Sequence, residues 1–234
     1  MSGRVAYYGG IVKDGLVLNL DAGKKDSFNR VGTTWKDISG NGYNGTLTNF
    51  GTQTIYDLNN GGSIIFDGTN DFCNLGNSNI FDSKSITVSC FFKSTDNSNF
   101  SSMVSKKGSD LITGWELSNS GGYLRVVLRP SSGTGINEVL GGVISLNNWL
   151  QGTFTYDNIL NEIRLYLNGV QVGGNYGTSP NLISNGNLYV GVRNDGTHFD
   201  PFKGNISNVI LYNRALSSSE VLQNYNATKG RYNL

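Results

Sequence analysis

The sequence predicts an all-β fold, a two-sheet antiparallel jelly-roll sandwich closed by one short C-terminal helix. Three observations carry this. Apolar and polar residues alternate with period two along most of the chain, turn-forming residues punctuate these stretches, and the composition is rich in glycine but poor in charge. Of 234 residues 32 are Gly and 3 are Pro, with 15% charged and 11% aromatic residues. Gly reaches positive φ without steric cost, and Asn, Ser and Thr bond neighbouring backbone, so this is the chemistry of tight turns. The aromatic content is too high for a disordered segment. The length suits one large sandwich better than two small domains, with residues 1–12 as an N-terminal arm without clear period and 13–234 as the single domain.

The strands follow from the alternation, since successive side chains of a strand point to opposite faces. Ser63-Ile64-Ile65-Phe66 and Asp71-Phe72-Cys73-Asn74-Leu75 are separated by the turn Asp67-Gly68. Ile86, Val88, Cys90 and Phe92 share one face, opposite Thr87, Ser89, Phe91 and Lys93. Leu124, Val126 and Leu128 oppose Arg125, Val127 and Arg129, and Ile163, Leu165 and Leu167 oppose Arg164, Tyr166 and Asn168. Leu188, Val190 and Val192 oppose Tyr189, Gly191 and Arg193 in what reads as one strand. Such strands bury one face and wet the other, which antiparallel sheets permit. Asn168-Gly169 predicts a two-residue type I′ hairpin, and Asp157-Asn158 and Asp195-Gly196 mark further turns. About a dozen strands of ordinary length result. Ser217 followed by Glu220 is a capping-box pattern, and it predicts a helix from 218 to 227 that stops near Gly230.

Several function classes are excluded by composition. The net charge is +1, from 18 basic and 17 acidic residues, and no basic cluster marks nucleic-acid binding. No run reaches the roughly 18 apolar residues of a membrane helix, and the N-terminus lacks the apolar stretch of a secretory signal. Synthesis in the cytoplasm, without membrane insertion, is the expectation. Two cysteines and one histidine cannot assemble a tetrahedral metal site. Cys90 alternates with core residues and a reducing compartment keeps thiols reduced, so Cys73 and Cys90 are expected as free thiols. Glu116, Glu138, Glu162 and Glu220 have no acidic neighbour two or four residues on, so the carboxylate pair of a glycosidase is missing. His198 stands in a loop with no nucleophile motif beside it. The chain reads as no enzyme.

What remains is the outward face. Arg125, Arg129, Trp149, Arg164, Tyr166, Tyr189 and Arg193 all fall opposite the apolar faces. If their strands join one sheet, they form an aromatic and guanidinium binding surface, rich in the residue types that anchor interfaces. Aromatic rings stack on sugars and Arg forks to hydroxyls and carboxylates; the alternative is ordinary cross-strand pairing on a wet sheet.

Certain phrases resemble the laminin-G-like branch of the concanavalin A-like lectin/glucanase superfamily. They are Gly15-Leu16-Val17-Leu18-Asn19-Leu20-Asp21-Ala22, Trp35-Lys36-Asp37-Ile38-Ser39-Gly40-Asn41-Gly42, Ile65-Phe66-Asp67-Gly68-Thr69-Asn70-Asp71-Phe72, Leu165-Tyr166-Leu167-Asn168-Gly169, and residues 202–217 from Phe202 to Ser217. The opening Asp14-Gly15-Leu16-Val17-Leu18 and the closing Val221-Leu222-Gln223-Asn224-Tyr225 are similar to members carried in virions of tailed bacteriophages. The resemblance implies a concanavalin A-like jelly roll acting as a capsid decoration or a tail or head fibre component at the virion surface. It would dock on a capsid or tail protein and bind host glycans, with homo-oligomers an option. A stand-alone bacterial carbohydrate-binding module is the alternative, and a degenerate glycoside hydrolase a distant one. Many relatives carry Asp where this chain has Ser207, near a structural calcium in some branches. The neutral Ser207 and Asn208 remove that carboxylate, and no cofactor is expected. Asp67 and Asp71 remain an oxygen pair for a hard cation such as calcium, against a plain reading in which Asp67-Gly68 is a turn and Asp71 hydrogen-bonds a strand end.

Overall fold

The computed structural model describes residues 9–52, 55–97, 100–108, 113–129, 137–176, 182, 184–196 and 198–234. In chain order the strands are β1 (Leu16–Asp21), β2 (Thr34–Trp35), β3 (Gly45–Thr48), β4 (Tyr56–Asp57), β5 (Ser63–Asp67), β6 (Phe72–Asn74), β7 (Ile86–Ser94), β8 (Ser101–Lys107) and β9 (Gly114–Ser120). There follow β10 (Tyr123–Arg129), β11 (Asn137–Val143), β12 (Leu150–Asp157), β13 (Glu162–Leu167), β14 (Val170–Tyr176), β15 (Leu188–Val190), β16 (Val192–Asn194), β17 (Phe199–Pro201) and β18 (Lys203–Tyr212). The excess over a dozen comes from strands of two or three residues, too short to show alternation. Helix α1 (Ser218–Thr228) continues into a 3-10 turn, Lys229–Tyr232.

Two antiparallel eight-stranded sheets form the sandwich. The first runs β14-β13-β12-β7-β18-β5-β4, with β1 also paired to β18; the second runs β11-β10-β9-β8-β15-β6-β3-β2. The long β18 pairs β7 along one edge, while β5 and β1 share the other. The inward rows meet in one core, with Val88, Cys90, Phe92, Phe154 and Leu165 from the first sheet against Cys73, Val104, Trp115, Leu117 and Val126 from the second. Each such side chain contributes roughly 1.5–3 kcal/mol by leaving water. Both cysteines are free and buried.

Local sequence explains the connections. Asn168 and Gly169 take φ of 53° and 76°, as a type I′ turn requires, and join β13 to β14. Ser217 accepts a hydrogen bond from the Glu220 backbone N–H while the Glu220 carboxylate accepts from the Ser217 N–H, completing the capping box.

One expectation is corrected. The stretch 188–193 is not one strand: it breaks at Gly191, whose φ is 85°. β15 stays in the second sheet, while β16 leaves to pair β17 as a separate hairpin. A Cβ at Gly191 would stand 2.3 Å from the Phe66 ring, so the chain can pass here only as glycine. The arm, described from residue 9, packs on the domain. The Val12 N–H donates to Asn224 Oδ1, its carbonyl accepts from Tyr212 Oη, and the Gly10 carbonyl accepts from Gln223. The earlier part of the arm, including Tyr7-Tyr8, lies outside the described residues.

Candidate functional site

The outer face of the second sheet carries a network of charged side chains. Trp115 and Leu117 of β9 face the core, so Glu116 between them points outward, as do Lys107 of β8 and Arg125 and Arg129 of β10. Glu116 is its centre. Lys107 Nζ lies 2.9 Å from Glu116 Oε2, with Arg125 and Arg193 guanidinium nitrogens at 3.9 and 4.0 Å from the same oxygen. Lys107 and Glu116 side chains are each only 2% exposed. The β16–β17 hairpin lays Arg193 over this centre, fixed by Asp195 at 2.8 Å and Asp200 at 3.3 Å. Ser105 Oγ of β8 donates to the Val192 carbonyl and ties the hairpin down. Arg125 holds Glu138 of β11 with two hydrogen bonds, and its guanidinium lies 5.3 Å from the centroid of the exposed Phe100 ring.

Burial sets the electrostatics. Desolvation lowers the pKa of Lys107; Glu116 opposes this, while Arg193 and Arg129 add to it. Desolvation raises the Asp200 carboxyl, and Arg193 pulls it back. Such a network holds its members in fixed orientations, because removing one partner strands another buried charge.

Beside the ions stands an aromatic patch. Phe72 of β6 meets Tyr189 of β15 edge-on at 5.6 Å, and Phe199 of β17 at 6.4 Å. Phe199 is 41% exposed. The face therefore offers ring surfaces next to forked donors and carboxylate acceptors, the combination that holds a polyhydroxylated ligand. His198 sits at its margin, half exposed, with Nδ1 3.3 Å from Asp195.

The seven binding-face residues do not share this surface, which corrects the single-face expectation. Arg125, Arg129 and Tyr189 lie on the second sheet and Arg193 on the hairpin above it. Arg164 and Tyr166 lie on β13, and Trp149 precedes β12, all on the first sheet. Tyr166 is fully buried and bonds Ser218 of α1 at 3.1 Å. Trp149, 6% exposed, lies under Tyr232 with ring centroids 4.8 Å apart. Arg164 is taken up by Glu162 at 2.6–2.8 Å. Outward parity means away from the core, and here α1 and the terminal turn cover what points away. Glu116, Lys107, Asp195 and Asp200 were not anticipated. The available signal was a lone acid at outward parity on a strand whose neighbour carries Arg at the same parity.

Asp67 and Asp71 close their own turn. Asp67 Oδ1 accepts from the Thr69 and Asn70 N–H groups, and Asp71 Oδ2 accepts from the Asp67 N–H. Among the described residues no three His, Cys, Asp or Glu side chains group as a metal site would need.

Solved structures with this architecture include binding domains. The binding domain of Paraclostridial Mosquitocidal Protein 1 superposes with a TM-score of 0.68 at 20% identity, over 92% of this chain and 52% of that one. This chain thus spans about half of that domain. Domain 4 of AbnA, a GH43 extracellular arabinanase from Geobacillus stearothermophilus, solved with arabinotriose, gives 0.66 at 20% identity over 90% of this chain and 98% of that one. The CBM40 of the Ruminococcus gnavus IT-sialidase, bound to α2,3 sialyllactose, gives 0.59 at 18% identity over 68% and 94%. No curated protein matches the sequence. The family model described as the concanavalin A-like lectin/glucanases superfamily matches residues 67–222, which span both sheets, the ionic face and the start of α1, and the chain belongs to that superfamily.

Proposed function

We propose that this chain is a non-catalytic glycan-binding module displayed on a virion surface, as a head decoration or a tail or head fibre component docked on a capsid or tail protein. The observation that carries the glycan reading is the outer face of the second sheet, where Tyr189, Phe72 and Phe199 adjoin the Arg193–Glu116–Lys107 network, uncovered by α1. Stacking rings beside fixed polar forks suit sugars. The carboxylates of this face are held by cations rather than set as an acid and base pair across a bond, which supports binding over hydrolysis. The virion setting rests on the opening and closing phrases of the sequence.

Glycan-array screening of the purified chain, followed by calorimetry on the best ligand, tests the face. Tyr189→Ala and Phe199→Ala should each weaken binding by about 1–3 kcal/mol, the scale of a buried anchor, with the β signal in circular dichroism unchanged. The stacking contribution should persist at high salt, which screens exposed charges. Binding that ignores both substitutions sinks this face as the site. Mass spectrometry of purified virions against culture medium tests the setting. Detection in the medium alone would favour the second reading, a stand-alone carbohydrate-binding module, which the near-complete overlap with the arabinanase domain also supports.

A further inference from the structure

A cleft of about 420 Å³ opens on the outer face of the first sheet, bounded by the arm, by β1 and β18, and by the end of α1 with its 3-10 turn. Its volume falls in the range of small-molecule sites, roughly 300–1,000 Å³. Asn19 of β1 and Asn208 and Ile210 of β18 lie side by side in its floor, Asn19 opposite Ile210 and Asp21 opposite Asn208.

The two amides are held, but only by half. Asn208 Nδ2 donates to the Leu20 carbonyl at 2.8 Å and to Asn19 Oδ1 at 3.1 Å. A backbone carbonyl can only accept, so the first bond fixes the orientation of Asn208, and the second fixes that of Asn19. Asn208 Oδ1 and Asn19 Nδ2 are left without a partner among the described residues, although the two residues are only 3% and 5% exposed. An acceptor and a donor thus stand together in a nearly buried floor, a pair that a hydroxyl-bearing ligand completes and an apolar one does not. Ile210 and Ile11 supply apolar wall.

Charge narrows the ligand further. Arg231 grips Asp21 with two bonds of 2.6 and 2.8 Å, which neutralises that carboxylate and stiffens the wall. Lys13 and Lys24 stand exposed at the rim, Lys24 Nζ 3.9 Å from Asp21 Oδ2. Lys13, Lys24 and Arg231 against Asp21 leave two positive charges in excess. We propose that this cleft is a second carbohydrate site, on the opposite sheet from the first, that takes a single acidic sugar of the uronic-acid class. The hydroxyls meet Asn19 and Asn208, and the carboxylate meets the rim lysines.

The test is a ¹H–¹⁵N titration of the full chain with glucuronate, glucose and inorganic phosphate, read at the side-chain amides of Asn19 and Asn208. Glucuronate should shift both amide pairs and saturate, and glucose should shift them only at about tenfold higher concentration, the worth of one charge-assisted contact. Phosphate should leave them in place. Lys24→Glu should erase the preference for glucuronate over glucose. Unmoved amides with glucuronate, or equal shifts with phosphate, overturn the proposal. Sugar-induced shifts confined to Tyr189 and its neighbours would overturn it too, while leaving the site on the second sheet standing; shifts confined to the cleft would do the reverse.

Discussion

Glu220 shows how one carboxylate ties the C-terminal helix to the sandwich. Arg214 grips it at 2.6 and 3.0 Å, and the Ser217 N–H donates to it at 2.9 Å. The Arg214 bonds, helped by Ser217, hold its pKa at about 2 against an ordinary 4.5. A carboxyl whose folded pKa is depressed contributes stability above its unfolded value, and that contribution is lost as pH falls through the folded one. The window is therefore about pH 4.5 down to about 2. Denaturant unfolding across this range should show a stability loss that Glu220→Gln flattens, with Glu220→Gln itself costing about 1 kcal/mol at neutral pH, the scale of a helix cap. A variant with an unchanged slope would remove Glu220 from this role. This cap was legible, because Ser217 and Glu220 are close in sequence and their chemistry is local. Trp149 and Tyr166 were not, because their burial is decided by a helix some fifty residues on in the chain or further.

At the scale of elements, the terminal turn acts as a plug. Tyr232 stacks on Phe91 at 4.3 Å, faces Trp149 at 4.8 Å, and donates to Ser207 Oγ at 2.9 Å. Burial pushes its phenol up to about 12. The Ser207 hydroxyl in turn donates to the Gly62 carbonyl at 2.6 Å, so Ser207 serves as a relay between the plug and the loop before β5. Tyr232→Ala should cost about 3–5 kcal/mol, as for other buried aromatic truncations, and should redden Trp149 fluorescence as water reaches the indole. Tyr232→Phe removes only one hydrogen bond, worth about 1 kcal/mol. An alanine variant as stable as the parent would mean that the turn merely rests on the sheet. Elements with local signatures, such as the Asn168-Gly169 hairpin and α1, stood out in the sequence. The break at Gly191 did not, since Val192 keeps the alternation and the Phe66 ring that demands glycine is distant in the chain. That break, and with it the lift of Arg193 over Glu116, is why the ionic face could not be drawn beforehand.

At the scale of the molecule, the two sheets share one core, and the two cysteines report on both halves. Cys73 lies on β6 of the second sheet and Cys90 on β7 of the first, both with no exposure and both in the same apolar cluster. Burial pushes both thiols well above their ordinary range, and the thiol, unlike the thiolate, is a poor nucleophile. Folded protein should therefore leave a thiol reagent nearly unconsumed, and complete unfolding should release two reactive groups. The informative region lies between. β1 and β18 bring the two ends of the domain side by side, and the helix and terminal turn that follow β18 seal the first sheet, so neither sheet keeps its core if the other leaves. Cys73 and Cys90, distinguished by mass spectrometry of labelled peptides, should become reactive with a single common denaturant midpoint, as a two-state domain requires. If Cys73 labels at lower denaturant than Cys90, the second sheet opens by itself, and the ionic face would be a surface that can come apart while the plugged sheet stays folded.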